Sequence, residues 1–228
     1  MLAKDIMTKH VVSARLDSTI VELVDLMLKH HISALPIENT DGDLVGLVSE
    51  GDLIRRSEIG AREYSSWWLA AIGGKLRLAE DFIKTHGMRA EEIMTKNVVS
   101  VSEDTPVWQI AEVLEKNSIK RTPVLRDGSV VGIVSRANLL QALAKKRSES
   151  TKEPSEDDKK IRAHILDTLD KQAWSDTSRL NVIVSNGVVH YWGQVKSDTE
   201  RRALKAAAEI LPEVKEVRDH TQKSIIII

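Results

Sequence analysis

The residues best suited to chemistry come in two matched sets. GLVSEGD, residues 46–52, and GIVSRAN, residues 132–138, each place a serine three residues after a glycine and an acid or amide three residues beyond it. Gly46 and Gly132 lack side chains, so another group can come close to the strand backbone there. Ser49 and Ser135 fall where a helix should begin. Free N–H groups and the positive dipole end favour a phosphate at such a point, and the hydroxyl adds a donor. Asp52 can accept hydrogen bonds from two ribose hydroxyls; Asn138 can still accept through its carbonyl oxygen, without charge. That is the chemistry of holding a ligand. The same Ser-x-x-Asp spacing is also a capping box, in which the serine and the acid satisfy backbone N–H groups and bind nothing else. The sequence leaves both readings open, and the two can coexist.

The sets differ in charge. The first carries Glu50 and Asp52, with neutral Ser33 and Ala34 at the start of the preceding strand; the second carries Arg136 and Asn138, with Lys120 and Arg121 in the equivalent place. The second therefore suits an anionic phosphate, and the first an uncharged or cationic group. The alternative is that these charges are solvated helix and loop positions.

No catalytic constellation stands out. There is no cysteine, so disulfides, thiolate metal sites and cysteine nucleophiles are excluded. The seven histidines are scattered, and adjacent His30 and His31 diverge on a helix. No H-E-x-x-H, P-loop or G-x-S-x-G signature occurs. The expectation is a protein without enzymatic activity and without a catalytic cofactor. The formal net charge of −1 speaks against nucleic acid held by bulk electrostatics. The N-terminal MLAKDIMTKHVV lacks the pattern of a secretory signal, and no stretch has the length of a membrane span, so the expected compartment is the cytoplasm.

The elements that must position these residues are themselves duplicated. Residues 3–56 align with 90–143 after a single one-residue gap, with IMTK, VVS, a Pro-Ile or Pro-Val and G(L/I)VS in both. VVS reads as a short strand. A helix follows, capped at Asp17-Ser18-Thr19 and at Asp104-Thr105, with Pro106 in a first-turn position. Its apolar face is Ile20, Leu23, Val24 and Met27 in one copy and Val107, Ile110, Ala111 and Leu114 in the other. A hairpin turns at Asp41-Gly42 and Asp127-Gly128. Leu44–Val48 and Val130–Val134 return as strands buried on both sides, and Ser49 and Ser135 open a second helix. Each unit is thus strand–helix–strand–strand–helix, and two copies packed sheet to sheet would bury a core that one copy could not.

This duplicated pattern resembles a tandem pair of CBS domains, the regulatory modules named for cystathionine β-synthase, over about residues 1–145. The resemblance implies a pseudo-symmetric pair with two clefts that take AMP, ATP or S-adenosylmethionine-type ligands, and pairs that form homodimers. Its Ser/Thr-x-x-Asp/Asn motif places Ser49, Asp52, Ser135 and Asn138 at phosphate and ribose; Gly46, Gly132, Arg121 and Arg136 complete the candidate ligand site on the arguments above. Thr8 and Thr95, the threonines of the repeated IMTK, join them. Ile6, Met7, Ile93 and Met94 are candidates for apolar walls, with core packing the more usual role.

A second pattern follows. KKRSESTKEPSEDDKK, 145–160, reads as a solvated linker or a frayed helix extension. Beyond it, Ile161, Ile165 and Leu169 mark a helix, Leu180–Val184 and Val188–Val195 flank the hairpin turn Asn186-Gly187, Ser197–Glu200 caps an alanine-rich helix, and Val214–Val217 begins a last strand. With Trp174 and NVIVSNGVVHYWGQVKSDTERRALKAAAE, this αββαβ segment is similar to a BON domain, a family associated with phospholipid or membrane surfaces. Of Tyr191 and Trp192, one is expected in the core.

The fold expected is therefore α/β in the broad sense (α+β): CBS units at 1–56 and 90–145, a helical insert at 57–89 holding Trp67 and Trp68, a linker at 146–157, a BON domain at 158–222 and the tail 223–228 with Ile225–Ile228. The expected function is a sensor that binds an adenosine-containing ligand and relays it to a BON module contacting a membrane surface or a protein. The alternatives are a ligand-free dimerisation scaffold and, more remotely, nucleic-acid binding through Lys120, Arg121 and Arg136.

Overall fold

A computed structural model describes residues 1–54, 87–148 and 154–223. In chain order the elements are α1 (Ala3–Ile6), β1 (Ala14–Arg15), α2 (Ile20–His30), β2 (Ala34–Glu38), β3 (Leu44–Ser49), α3 (Glu50–Ile54), α4 (Ala90–Ile93), β4 (Val101–Ser102), α5 (Val107–Lys116), β5 (Arg121–Arg126), β6 (Ser129–Ser135), α6 (Arg136–Ser148), α7 (Glu156–Asp170), β7 (Leu180–Ser185), β8 (Val188–Val195), α8 (Asp198–Glu209) and β9 (Glu216–Lys223). They make a mixed α+β protein with three three-stranded sheets among the described residues, ordered β1-β2-β3, β4-β5-β6 and β7-β8-β9. Trp67, Trp68 and Ile225–Ile228 lie outside the described residues.

The expected unit is present twice. In each, the first strand runs parallel to the second, Ala14 beside Ile37 and Val101 beside Val124. In the first copy β2 and β3 then pair antiparallel, Ala34 opposite Ser49. The strand expected at VVS forms just after it, at Ala14–Arg15 and Val101–Ser102; in the second copy the backbone of VVS is tied elsewhere, the Thr122 hydroxyl donating to Val99 O at 2.8 Å. Thr19 caps α2 as expected, accepting from Glu22 N while Glu22 Oε2 accepts from Thr19 N at 2.7 Å. Pro106 stands one place earlier than expected, at the N-cap of α5. Ala111 is exposed and Val113 takes its place against the core. The returning strands bury one face only, with Gly46 and Val48 in and their neighbours half-covered, so they are not buried on both sides.

The described residues form two compact units, one built on Val12–Val98 with Gly128–Val130, the other joining Met1–Val11 to Val99–Asp127 and everything from Val131 on. The division follows an exchange of first helices. Ala90, Ile93 and Met94 complete the core of Leu23, Met27, Leu35, Ile37 and Val48 in the first repeat. Ala3, Ile6 and Met7 complete that of Val101, Ile110, Leu114, Val124 and Val134 in the second. Each large side chain so buried contributes about 1.5–3 kcal/mol. The helices are only one turn long, and carboxylates cap them: Asp5 accepts from Leu2 N at 2.8 Å, and Glu92 from Met88 N and Arg89 N at 2.7 and 2.9 Å.

The C-terminal module packs α7 and α8 on one face of β7-β8-β9, around Ile161, Ile165, Leu169, Val182, Tyr191 and Leu204. Asn186 and Gly187 both take positive φ, 50° and 77°, as the hairpin turn requires. Gly193 has φ 120°, and a Cβ there would lie 2.0 Å from Arg179 O, so the strand needs glycine at that approach. The last strand is Glu216–Lys223, two residues later than expected and longer.

Asp158 joins α7 to that hairpin. It accepts from Gly187 N at 2.8 Å and from both the N–H and the hydroxyl of Ser155 at 2.9 Å. Burial alone would raise its pKa, but these donors together hold it below the usual carboxylate range. A depressed carboxylate stabilises the fold above its unfolded pKa, and that stability is lost as pH falls through the folded value. The melting temperature of the C-terminal module is expected to fall as pH drops from about 5 toward 3. Asp158→Asn should lower it already at pH 7 and flatten the acid dependence.

Candidate functional site

The corner at the end of β3 is closed by its own side chains. Asp52 Oδ2 accepts from Ser49 N at 2.9 Å and from the Ser49 hydroxyl at 2.7 Å. The corner at the end of β6 repeats this with an amide: Asn138 Oδ1 accepts from Ser135 N at 2.8 Å and from the Ser135 hydroxyl at 2.6 Å. Both therefore have capping-box geometry. The difference between Asp and Asn also has a physical reason. Asn138 is buried, and its amide donates to Ile6 O at 3.1 Å, which a carboxylate could not do. Asp52 is half-buried.

The structure puts each IMTK threonine beside the other repeat's corner. Thr95 exchanges backbone hydrogen bonds with Leu47, at 2.9 and 3.0 Å, two residues before Ser49. Thr8 does the same with Ile133, at 3.0 and 2.9 Å, two residues before Ser135. The first corner thus gathers Gly46, Ser49, Asp52 and Thr95; the second gathers Gly132, Ser135, Asn138 and Thr8. Close approach to the glycines does occur, but by methionine. A Cβ on Gly46 would lie 2.2 Å from Met94 Sδ, and one on Gly132 2.4 Å from Met7 Sδ. Ile6, Met7, Ile93 and Met94 are all buried in the cores.

The charged residues cluster as the sequence suggests. Arg136 N donates to Lys120 O at 3.0 Å, bringing Arg136 to the start of β5, where Arg121 stands; Glu50 N donates to Ser33 O at 3.0 Å in the first copy. Arg136 is exposed and Arg121 half-buried. A separate open groove of about 740 Å³, walled by Arg15, Thr19, Glu22, Asp25 and Arg89, contains none of the corner residues, and its mixed charges select no one ligand.

Family models agree with this architecture. The CBS domain model matches residues 3–58 and 90–145, and the BON domain model matches residues 157–222. An uncharacterised protein of Methanocaldococcus jannaschii is 32% identical over 154 residues, 63% of this chain and 91% of the relative. This chain is a tandem CBS-domain protein with a C-terminal BON domain. A chloroplastic CBS domain-containing protein of Arabidopsis thaliana is 31% identical over 55% of the chain and 56% of its own length. The L-aspartate semialdehyde sulfurtransferase of M. jannaschii is 29% identical over 64% of the chain, which spans only 24% of that enzyme. In fold, the CBS pair is similar to the crystal structure of CBSX2 in complex with AMP, with a TM-score of 0.56 and 24% identity over 64% of this chain and 98% of the other.

In the BON domain Tyr191 is the core aromatic, 1% exposed, and burial raises its hydroxyl pKa. Trp192 instead stacks on His220 at 4.0 Å, and His220 Nε2 lies 3.1 Å from His190 Nδ1. This histidine pair is invisible in the sequence, where its members stand thirty positions apart. No described helix is long and apolar enough to cross a membrane.

The paired glycine–methionine contacts give a direct test. Gly46→Ala should destabilise the chain by about 1–3 kcal/mol, because the new methyl overlaps Met94. Combining it with Met94→Ala should cost clearly less than the sum of the two single changes, read as urea midpoints, since the sites touch.

Proposed function

We propose that the chain is a regulatory, non-catalytic protein whose CBS pair binds an adenosine-containing ligand, of the AMP, ATP or S-adenosylmethionine type, and whose BON domain contacts a membrane surface or a protein. The observation that supports this most is the twin corner. In each, a helix start, a serine hydroxyl and a carboxylate or amide meet within hydrogen-bonding distance, beside a threonine from the other repeat. A bound ribose would replace the Ser49 hydroxyl as donor to Asp52, exchanging one hydrogen bond for another. Of the relatives, CBSX2 was solved with AMP, which is the ligand to try first.

The corners divide the work by charge. Lys120, Arg121 and Arg136 suit the second to a phosphate, and Asp52 with Glu50 suits the first to a ribose or a cationic adenosyl group. The pair would associate as a homodimer through CBS helices, where Val21 and Leu28 on α2 and Trp108, Leu140 and Leu143 on α5 and α6 are more than half exposed. The ligand-free scaffold is the second reading, favoured by the self-capping of both corners.

Calorimetric titration with AMP, ATP and S-adenosylmethionine separates the two. Binding should weaken about tenfold or more in Asp52→Ala or Ser135→Ala, given about 1.5–3 kcal/mol for a hydrogen bond to a charged group. Arg121→Ala and Arg136→Ala should weaken AMP more than S-adenosylmethionine. Heat from none of the three ligands would leave the scaffold. Liposome sedimentation with and without the best ligand would test the BON domain, and pelleting indifferent to that ligand would remove the switch.

A further inference from the structure

The BON domain holds one cation in an unusual setting. Arg162, on α7, is 7% exposed and donates to three backbone carbonyls: Nε to Val182 O at 2.7 Å, Nη1 to Lys4 O at 2.9 Å and Nη2 to Met7 O at 2.8 Å. Burial lowers its pKa to about 10, with nearby Asp5 opposing that shift, so it is charged at neutral pH. Two of the three carbonyls belong to the N-terminal segment that completes the second CBS repeat. That segment is also gripped by the second corner: Asn138 donates to Ile6 O, Thr8 pairs with Ile133, and Met7 lies on Gly132. Side chains join the same two bodies nearby, His10 with Asp170 at 2.6 Å and Asn181 donating to Gln141 at 2.7 Å.

Residues 4–7 therefore present their carbonyls to two readers, Lys4 O and Met7 O to the BON domain and Ile6 O to the ligand corner. Lys4, Asp5 and Ile6 share one helical turn, closed by Met7 N donating to Ala3 O at 2.8 Å, so displacing one of these carbonyls strains the turn that carries the others. We infer that the second corner and the BON domain are coupled through residues 4–8, with Arg162 as the positioning residue, and that drawing Asn138 away from Ile6 loosens BON docking. The trigger, a ligand competing for the Asn138 amide, rests on the function proposed above; the mechanical link does not. The Asp52 carboxylate is an acceptor only, so it cannot make this donation. Coupling by this route bypasses the segment between α6 and α7.

Because the chain lacks cysteine, one introduced thiol can report docking. Asn181 is 4% exposed, on the BON side of its contact with Gln141. In full-length protein carrying Asn181→Cys, Arg162→Gln is expected to raise the rate of thiol labelling about tenfold or more, since it removes charge-assisted bonds. Arg162→Lys should fall between. Asn138→Asp, the residue type of the first corner, should raise the rate about fivefold. Combined with Arg162→Gln it should add nothing further. If Asn138→Asp leaves labelling at the parent rate, or its effect multiplies with that of Arg162→Gln, the coupling is wrong. Should Arg162→Gln fail to fold, Arg162→Lys and Asn138→Asp still decide. AMP is then added to the parent. If calorimetry shows AMP bound at the second corner and labelling does not change, the coupling is overturned. If AMP does not bind, ATP and S-adenosylmethionine take its place; if none of the three binds, the ligand reading fails, and the ligand-free comparison still judges the link.

Discussion

Everything else depends on one exchange: a single turn of helix from each repeat is buried in the core of the other. Ile6 and Met7 close one core, Ile93 and Met94 the other, and each methionine rests where a glycine leaves room. One turn of helix has almost no stability of its own. It is held by burial, by the Asp5 and Glu92 caps and by the backbone pairing of Thr8 and Thr95. Because the exchange ends at these threonines, it also sets what stands beside each Ser-x-x-Asp/Asn corner. Core and site are thus one construction, and a repeat taken alone would lack both.

The corners show how capping and binding can share residues. A helix start must satisfy its N–H groups, and Asp52 and Asn138 do so for Ser49 N and Ser135 N. A ligand carrying hydroxyls or a phosphate offers the same donors and acceptors, so it can replace the internal bonds without leaving any group unpaired. The replacement of Asp52 by Asn138 in the second copy then has a structural meaning. The amide ties its corner to the backbone at Ile6, and through that segment to Arg162 of the BON domain.

Much of this was legible in the sequence because it is local. The duplication, the turns at Asp41-Gly42, Asp127-Gly128 and Asn186-Gly187, the Thr19 cap and the strand Val188–Val195 all carry short-range signals. The strand offset after VVS was not legible, since it is set by pairing with residues 23 positions away, Ala14 with Ile37 and Val101 with Val124. The glycines announced a close approach but not that methionines 48 positions after Gly46 and 125 positions before Gly132 would make it. Arg162 read as one more charge on an amphipathic helix. Nothing nearby marks it as buried, because two of its three partners are main-chain atoms at the far end of the chain. Ser155 and Asp158 read as part of a solvated linker, so neither the Ser155 cap nor the bond from Gly187 was foreseen.

The most direct measurement is a crystal structure of the full chain grown with saturating AMP. The account predicts a nucleotide at one or both corners, with Asp52 or Asn138 turned from its serine hydroxyl to the ribose and the IMTK threonine of the other repeat alongside. Corners that keep their Ser49–Asp52 and Ser135–Asn138 bonds, with no nucleotide at either, would contradict it.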